Sequence, residues 1–397
     1  MTPISDALKL ILDDVCVIDG VECCELNQSL GRVLAEDVIS SVNVPTDDNS
    51  AMDGYAIHTK DASDSLTVSQ RIAAGELGAA LEQGMAARIF TGAAVPQGAD
   101  AIVIQENCNL NGDQLTIDGE VAVGQHIRPR GQDVKVGQKV MAAGVRLRAQ
   151  ELGVLASVGK ARVNVWKKLK IAVLSTGSEL VEPGIELGPG KIYNSNRYTL
   201  IGLLMSLGFE VLDMGIVPDS AVQTRKQLSL AAQSADCVIS SGGMSVGEED
   251  HVKAQVESLG ELKLWKLKIK PGKPLAYGRI ANTPFFGLPG NPAAVFVTFC
   301  LIARPYLLAT QGVEKVEPTM LSVEANFEWP EVGSRQEYLR ANISARGNKV
   351  VAEIHTNQSS GVLSSASWGN ALVVIPPGET VQSGDFIKAI LLSELLG

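Results

Sequence analysis

Residues 169–177 read LKIAVLSTG, an apolar run that ends in a turn of small polar residues. Such a run is typical of a strand that is buried on both faces of a sheet. The same texture returns in FEVLDMGIV, residues 209–217, and in DCVISSGG, residues 236–243, with helix-period segments between the strands. Strands that alternate with helices predict a parallel sheet covered by helices. We therefore expect an α/β domain in the middle of the chain.

Short apolar runs separated by turn residues flank this α/β region on both sides. They fill residues 55–148, where Asn111-Gly112 is a typical hairpin turn, and they return after about residue 313. The C-terminal set predicts a small β-barrel or sandwich. The expected fold class is thus α/β multi-domain, with β-rich parts before and after the central parallel domain.

Helical periodicity marks the start of the chain and the end of the first β-rich part. Residues 4–15 form an amphipathic pattern, residues 26–34 are a second candidate helix, and residues 148–159 a third. The N-terminus carries acids where a signal peptide has basic residues, and the apolar stretch 293–303 is too short to span a bilayer. We expect a cytoplasmic protein without a membrane anchor.

The charge balance argues against bulk binding to polyanions. The 397 residues include 34 Lys and Arg against 44 Asp and Glu, a formal net charge of −10. A net negative surface repels nucleic acids and anionic membranes. The six cysteines form no CxxC pair, and the four histidines form no HxxxH pair, so neither a disulfide scaffold nor a zinc hydrolase is indicated.

Two loops have the composition of phosphate cradles. SSGGMSVGEED, residues 240–250, follows a strand and opens a helix, so that backbone N–H groups and the helix terminus can face an anion. LPGNP, residues 288–292, repeats this arrangement after the next apolar strand. A tight turn and a well-capped helix are the plain structural alternatives. The candidate binding residues are Gly242, Gly243, Ser245, Pro289, Asn291 and Pro292.

A lysine-rich segment stands out in this acidic chain. LKLWKLKIKPGKP, residues 262–274, contains five lysines and no acid. Lys266, Lys268 and Lys270 alternate with apolar residues, which predicts one face of a single strand. Lys270 and Lys273 flank a Pro-Gly turn that can present two ammonium groups together, and we expect these two to bind an oxyanion.

Acidic residues lie where the predicted parallel strands end. Glu179 and Asp219 follow two of the strands, and Asp250 lies in the first turn of a predicted helix. Helix capping accounts for such acids equally well. Carboxylates beside a phosphate repel it unless a divalent cation intervenes, and Mg²⁺ bridges one or two carboxylates to phosphate oxygens.

The motifs together resemble one family, the molybdopterin molybdenumtransferases or MoeA proteins. They occur in the family's order over most of the chain: DNSAMDGYA, RIFTGAAVP, RPRGQD, LSTGSEL, SSGGMSVGEEDHVK, IKPGKP and GLPGNP. Asp47 and Ser178 depart from the family pattern. The resemblance implies an elongated helical linker domain, a β-rich domain, an α/β molybdopterin-binding domain and a C-terminal β-barrel. The implied boundaries are 1–45 with 142–166, 46–141, 167–312 and 313–397.

The resemblance also implies an activity and its site. The family inserts molybdate into adenylylated molybdopterin, with Mg²⁺-dependent cleavage of the adenylate, and releases AMP and molybdenum cofactor. It implies a homodimer in which Asp53 and Thr91 of the partner subunit line the pocket, and a molybdopterin adenylyltransferase as the upstream partner. The implied catalytic residues are Asp53, Asp133, Glu179, Asp219, Asp250, Lys270 and Lys273. Glu179, Asp219 and Asp250 would hold the metal, and Thr91, Arg340 and Ser360 would contact substrate.

Three other functions remain open from the sequence. A molybdopterin adenylyltransferase shares the α/β domain but lacks the first ~150 residues found here. A scaffold protein is compatible with the same family, and a competence-damage-type pyrophosphatase carries a related domain. Neither a Ser-His-Asp triad nor an activated nucleophile is evident, which agrees with phosphoryl chemistry driven by positioning and charge.

Overall fold

The computed structural model describes residues 1–244 and 251–396, and the chain divides into two compact units. The larger unit comprises residues 1–22, 31–35 and 165–397. The smaller unit comprises residues 23–30 and 36–164. The strands Val21–Glu25 and Arg162–Trp166 fall where the chain passes from one unit to the other. The finer division into four domains stays a prediction.

The centre of the larger unit is a sheet whose described strands number six. Their spatial order is Glu210–Val217, Lys170–Thr176, Cys237–Ser241, Thr283–Leu288, Ala276–Ile280 and Gly260–Trp265. The first four run parallel, and the last two are antiparallel to their neighbours. The expectation of a parallel α/β domain is therefore confirmed.

The strand Lys170–Thr176 supplies both faces of this domain because successive strand residues point to opposite sides. Ile171 and Val173 belong to one buried apolar cluster, whereas Ala172 and Leu174 belong to another. The first face packs against Ile4–Asp13, Ser195–Ser206 and the helical segment Pro292–Thr310. The second packs against Ala221–Ser234 and His251–Leu259. Burial on both faces explains why the strand is apolar throughout.

The most apolar helical segment of the chain lies inside the larger unit. It runs without interruption through Pro292–Thr298, a π-helical turn Phe299–Ala303, and Arg304–Thr310. It is long and apolar enough to cross a membrane by composition alone, but 94% of its most apolar window is buried within the protein. That burial is the property of a core helix, and the segment is longer than the apolar stretch 293–303 indicated.

A closed five-stranded barrel forms the C-terminal region. In order around the barrel its strands are Gln336–Arg346, Lys349–Ile354, Leu321–Ala325, Phe386–Leu391 and Ala371–Ile375, and the last pairs again with the first. The strand Ile269–Lys270 adds to its outside, parallel to Gln336–Arg346. Two short helices, Ser364–Trp368 and Leu392–Leu396, complete this region. Because the last strand pairs with the first, the region is a barrel and not the sandwich that the sequence also allowed.

The smaller unit is built on a second sheet. Within the described residues its strand order is Ala101–Ile104, Gly54–Ile57, Met85–Ile89, Leu66–Ile72, Gln114–Ile117 and Cys108–Asn111. Two ribbons pair Asn49–Ser50 with Ile127–Arg128, and Val38–Ile39 with Lys139–Met141. The predicted hairpin at Asn111-Gly112 and the helix Ala149–Ser157 are both present. The N-terminal β domain is thereby confirmed.

Two local expectations are wrong. Residues 26–34 contain only the 3₁₀ turn Leu26–Gln28, which follows the strand Val21–Glu25, so no α-helix forms there. The lysine-rich segment is not one strand either. It breaks at Lys266, which has a φ of +69°, between Gly260–Trp265 and Ile269–Lys270. These strands belong to different sheets, so the alternating lysines do not share one face.

Candidate functional site

A pocket of about 390 Å³ lies where the loops of the α/β domain meet the barrel region. Five of the predicted site residues line it: Lys270, Lys273, Pro289, Asn291 and Ser360. Its other walls are Pro271, Gly272, Pro274, Gly290, Ala294, Arg335, Gln358 and Ser359. The folded chain thus brings the lysine turn, the LPGNP loop and the C-terminal serine to one place. The pocket concentrates positive charge in a chain that is acidic overall.

Close packing fixes the lysine turn at the pocket. Gly272 has a φ of +113°, and a Cβ at this position would lie 2.2 Å from Cγ2 of Thr298 in the core helix. Only glycine combines this backbone conformation with so close an approach. On the N-terminal side, Lys270 pairs with Glu337 in the parallel register. The turn therefore presents Lys270 and Lys273 from a rigid base.

The LPGNP loop binds the barrel region through Asn291. Asn291 stands at the N-cap of the helix Pro292–Thr298, but its side chain makes no capping hydrogen bond. Its Nδ2 donates instead to Oγ of Ser360 at 2.8 Å, and the Ala293 N–H donates to the Ser360 carbonyl at 2.9 Å. Asn291 therefore precedes Pro292 at the start of a helix, and its amide links the two loops of the pocket.

The glycine-rich loop comes close to the LPGNP loop. Gly242 and Gly243 have φ values of +83° and +64°, and a Cβ on Gly242 would lie 2.6 Å from the Thr176 carbonyl oxygen. A Cβ on Gly290 would lie 3.9 Å from Cα of Gly242. The loops after three parallel strands therefore meet at one edge of the sheet, where open α/β sheets bind their ligands. Ser245 and Asp250 lie outside the described residues.

Two of the predicted metal ligands lie on neighbouring loops of the same edge. The Ser178 N–H donates to Oδ2 of Asp219 at 2.7 Å, which joins the turn that carries Glu179 to the strand end that carries Asp219. A Cβ on Gly177 would lie 2.5 Å from Oε2 of Glu179, so this glycine leaves room for the carboxylate. The Ser178 hydroxyl oxygen also accepts from the Asp219 N–H at 3.4 Å, so both the backbone and the side chain of Ser178 join the two loops.

These carboxylates fit a hard divalent cation. Their donor atoms are all oxygens, and Mg²⁺ binds through one or two carboxylates together with substrate phosphates. Within the described residues no three His, Cys, Asp or Glu side chains cluster, so an enclosed protein cage is absent from that part of the chain. The assignment of Glu179, Asp219 and Asp250 as metal ligands stays a prediction.

Arg340 does not line the pocket, although the family resemblance implies that it contacts substrate. Its side chain is 1% exposed, and its guanidinium donates to Oγ of Ser365 at 2.9 Å and to the carbonyl of Ser359 at 3.1 Å. Burial lowers the pKa of Arg340 to about 10. Arg340 holds the loop that carries Ser360, and the arginine at the pocket wall is Arg335, which the sequence analysis missed.

In the smaller unit, two of the predicted motifs meet at Asp53. Both the N–H and the hydroxyl of Thr91 donate to Oδ1 of Asp53 at 2.8 Å. These bonds, joined by the charge of Arg88, lower the pKa of Asp53 below its ordinary value. The N–H of exposed Asp133 donates to the Val44 carbonyl at 2.9 Å. Asp53 and Thr91 thus form a fixed anionic corner. The loop of Asp133 is tied to the start of the Asp53 motif through Arg130, whose N–H donates to Oδ1 of Asp48 at 2.6 Å.

Comparisons with known proteins match most of the chain in three consecutive parts. Residues 2–159 match the MoeA N-terminal region (domain I and II), residues 172–309 a probable molybdopterin binding domain, and residues 322–392 the MoeA C-terminal region (domain IV). Fold and loops thus define a multi-domain protein built around a molybdopterin-binding type of α/β domain.

Relatives that align with the full length of the chain narrow this class of protein to one family. The chain is 37% identical to the molybdopterin molybdenumtransferase of Haemophilus influenzae, with 100% of both chains covered. It is 35% identical to that of a Nostoc species, covering 100% of this chain and 94% of that protein. The crystal structure of the molybdopterin biosynthesis MoeA protein of Pyrococcus horikoshii superposes with a TM-score of 0.86 at 30% identity, covering 98% and 100%. The chain belongs to the molybdopterin molybdenumtransferase family.

Proposed function

We propose that this protein is an enzyme of molybdenum cofactor biosynthesis that inserts molybdate into adenylylated molybdopterin and cleaves the adenylate with the help of Mg²⁺. Its products are AMP and molybdenum cofactor. Family membership supports molybdate insertion into molybdopterin as the reaction. The observation that carries the finer proposal is the pocket that joins Lys270, Lys273 and Asn291, because two ammonium groups beside helix and loop N–H donors suit a phosphate or a molybdate.

The pocket can promote phosphoryl transfer without a protein nucleophile. A water oxygen forms a bond to phosphorus, the bond to the leaving phosphate oxygen breaks, that oxygen keeps the electron pair, and the water proton passes to solvent. If a molybdate oxygen attacks instead, water then cleaves the phosphorus–oxygen–molybdenum link to give AMP. Lys270 and Lys273 stabilise the charge that develops on the nonbridging oxygens. Asn291, fixed by Ser360, orients the LPGNP loop toward the phosphate. Glu179 and Asp219 would hold Mg²⁺, which supplies Lewis-acid stabilisation of the phosphate oxygens when bound.

AMP release tests this proposal. The purified full chain should release AMP from adenylylated molybdopterin when molybdate and Mg²⁺ are present. Lys273→Ala should slow release by about 100-fold, since losing one charge-stabilising donor typically costs about 10²–10³ in rate. Lys268→Ala is the matched control, because Lys268 belongs to the same segment but does not line the pocket. Consumption of ATP with no release of AMP would favour the adenylyltransferase and contradict the proposal.

We further propose a cytoplasmic homodimer that receives its substrate from a molybdopterin adenylyltransferase. In such a dimer, Asp53 and Thr91 of one subunit would complete the lysine pocket of the other. A 1:1 mixture of Asp53→Ala and Lys273→Ala should then, after subunit exchange, regain about a quarter of the wild-type activity, because about half of the dimers are mixed and each mixed dimer contains one intact site of two. No regain after demonstrated subunit exchange would show that the two residues act within one chain.

A further inference from the structure

Lys270 is held by a carboxylate that the sequence analysis did not single out. Its Nζ lies 3.2 Å from Oε1 and 3.1 Å from Oε2 of Glu337. The Glu337 side chain is only 4% exposed, whereas that of Lys270 is 36% exposed. The ammonium also lies 5.6 Å from the centre of the Trp329 ring. A buried acid of the barrel therefore holds a lysine of the pocket.

The backbone sets this pair in place. Ile269–Lys270 runs parallel to the barrel strand Gln336–Arg346, with Lys270 in register with Glu337. Since paired residues on neighbouring strands place their side chains on the same face, the two groups meet without rearrangement. Gly333 makes room for the carboxylate, because a Cβ there would lie 2.6 Å from Oε1 of Glu337.

The two pocket lysines differ in how their charge is balanced. Lys270 faces Glu337, and the 75% exposed Glu331 lies 4.0 Å from the same ammonium. Within residues 1–244 and 251–396, Lys273 forms no ion pair, and it is exposed in the pocket. The net positive charge offered to an anion therefore comes from Lys273, together with Arg335 at the pocket wall, which donates to the Ile269 carbonyl. Lys270 is a fixed donor whose charge is largely compensated.

We propose that Glu337 is a positioning residue, which fixes the Lys270 ammonium at the pocket wall so that Lys270 orients the substrate while Lys273 supplies the attraction for its charge. A buried carboxylate persists only when it is paired, so Glu337 requires Lys270 as its partner. The inference rests on the proposed function, since it assigns roles to two lysines of that site.

The first test separates orientation from binding. Glu337→Gln keeps the shape of the side chain but removes its charge. We expect kcat for AMP release to fall about tenfold while KM for molybdate changes less than about twofold, because a misplaced catalytic group lowers rate more than affinity. Glu331→Gln is the matched control: it removes a carboxylate near the same ammonium, yet it is exposed and should leave kcat unchanged within about twofold. Equal effects of the two variants would overturn the proposal.

A double-mutant cycle tests whether Glu337 acts through Lys270. Once Lys270→Met is present, adding Glu337→Gln should not lower kcat further, whereas independent roles would give multiplied losses. Because Lys270→Met alone leaves a buried charge unpaired and can impair folding, Gly333→Ala is a second route. The new methyl group displaces the carboxylate without removing it. We expect Gly333→Ala to lower kcat in the wild type but not in the variant that carries both Lys270→Met and Glu337→Gln. If the fold-losses in kcat multiply in either experiment, the proposal is overturned.

Reductive methylation with formaldehyde and cyanoborohydride tests the Lys270–Glu337 ion pair without a measurement of turnover. Mass spectrometry should show faster methylation of Lys270 in Glu337→Gln than in the wild type, with Lys268 as the internal reference, because the ion pair with buried Glu337 restrains the Lys270 amine from meeting the reagent. Equal methylation of Lys270 in Glu337→Gln and in the wild type would overturn the proposal that Glu337 fixes Lys270. If methylation shows that Glu337 fixes Lys270 in the wild type but the wild type releases no AMP, the proposed function is wrong and the positioning role of Glu337 stands.

Discussion

Arg340 shows what one buried residue does for the pocket. The sequence places it in a motif and indicates contact with substrate, but its guanidinium lies inside the barrel region and donates to Ser359 and Ser365. A guanidinium offers five donors in a fixed planar fork, whereas a lysine offers three donors on a single atom. The contribution of Arg340 to the site is therefore indirect, through the position of Ser360.

Arg340→Met should destabilise the protein by about 2–4 kcal/mol, since each buried acceptor left unpaired costs about 1–3 kcal/mol. It should also raise KM more than it lowers kcat, because the loop with Ser360 loosens. Arg346→Met is the control from the same strand: Arg346 is 55% exposed and paired with Glu353, and surface pairs contribute about 0–1 kcal/mol. Urea unfolding and steady-state kinetics measure both variants. Equal stability losses would contradict a buried structural role for Arg340.

At the scale of elements, the pocket depends on how closely loops pack on helices. The lysine turn lies against the core helix at Gly272, the LPGNP loop is tied to the barrel through Asn291, and the glycine-rich loop touches its neighbour at Gly242. Each contact joins segments that are far apart in the sequence. The site is therefore as rigid as the packing between these elements.

Gly272→Ala should destabilise the protein by about 2–5 kcal/mol, from backbone strain of about 1–3 kcal/mol and from overlap of similar size with Thr298. AMP release should fall with it because Lys270 and Lys273 flank this turn. Gly190→Ala is the matched control, with a φ of +72° and open space around the added Cβ. It should cost only about 1–2 kcal/mol of backbone strain and leave kcat unchanged. Thermal unfolding measures both variants. Equal losses of stability in Gly272→Ala and Gly190→Ala would show that the overlap with Thr298 is unimportant.

At the scale of the whole molecule, Asp14 ties the N-terminal helix to the edge of the central sheet. Lys263 donates to Oδ1 of Asp14 at 2.7 Å, and Tyr277 and Arg279 donate to Oδ2. Burial opposes ionisation of Asp14, but the hydrogen bonds from Lys263 and Tyr277 and the charge of Arg279 outweigh it. They lower the pKa below its ordinary value of 3.8.

The lowered pKa predicts the sign of a pH dependence. A carboxylate with a depressed pKa in the folded state stabilises the protein above its unfolded pKa, and this stabilisation is lost as pH falls through the folded pKa. Asp14→Asn should therefore cost about 1–3 kcal/mol at pH 7, reduced by partial exposure. The difference from wild type should shrink below about pH 4, because the wild-type carboxyl also loses its charge there.

Urea unfolding at pH 7 and at pH 3.5 measures this change. Asp13→Asn is the control, since Asp13 is the exposed neighbour of Asp14 on the same helix turn. It should leave stability nearly unchanged at both pH values. A difference between Asp14→Asn and wild type that grows toward acid would contradict the assigned sign.

The sequence by itself determined the parallel α/β domain, the flanking β-rich parts and most residues of the pocket. It could do so because burial on two faces leaves an apolar run, and because turns and anion loops need glycine, proline and lysine at fixed spacing. Lys270, Lys273, Pro289 and Asn291 were found in this way, Ser360 was implied by the family resemblance, and all five line one pocket.

Only the tertiary structure decided what surrounds those residues. The lysine segment breaks at Lys266 because its two halves join different sheets, and Arg340 turns inward because the barrel closes over it. Glu337 meets Lys270 through a strand pairing between residues 67 positions apart. Local periodicity records which residues prefer burial, but the partner of a buried charge depends on long-range register, which no short stretch of sequence contains.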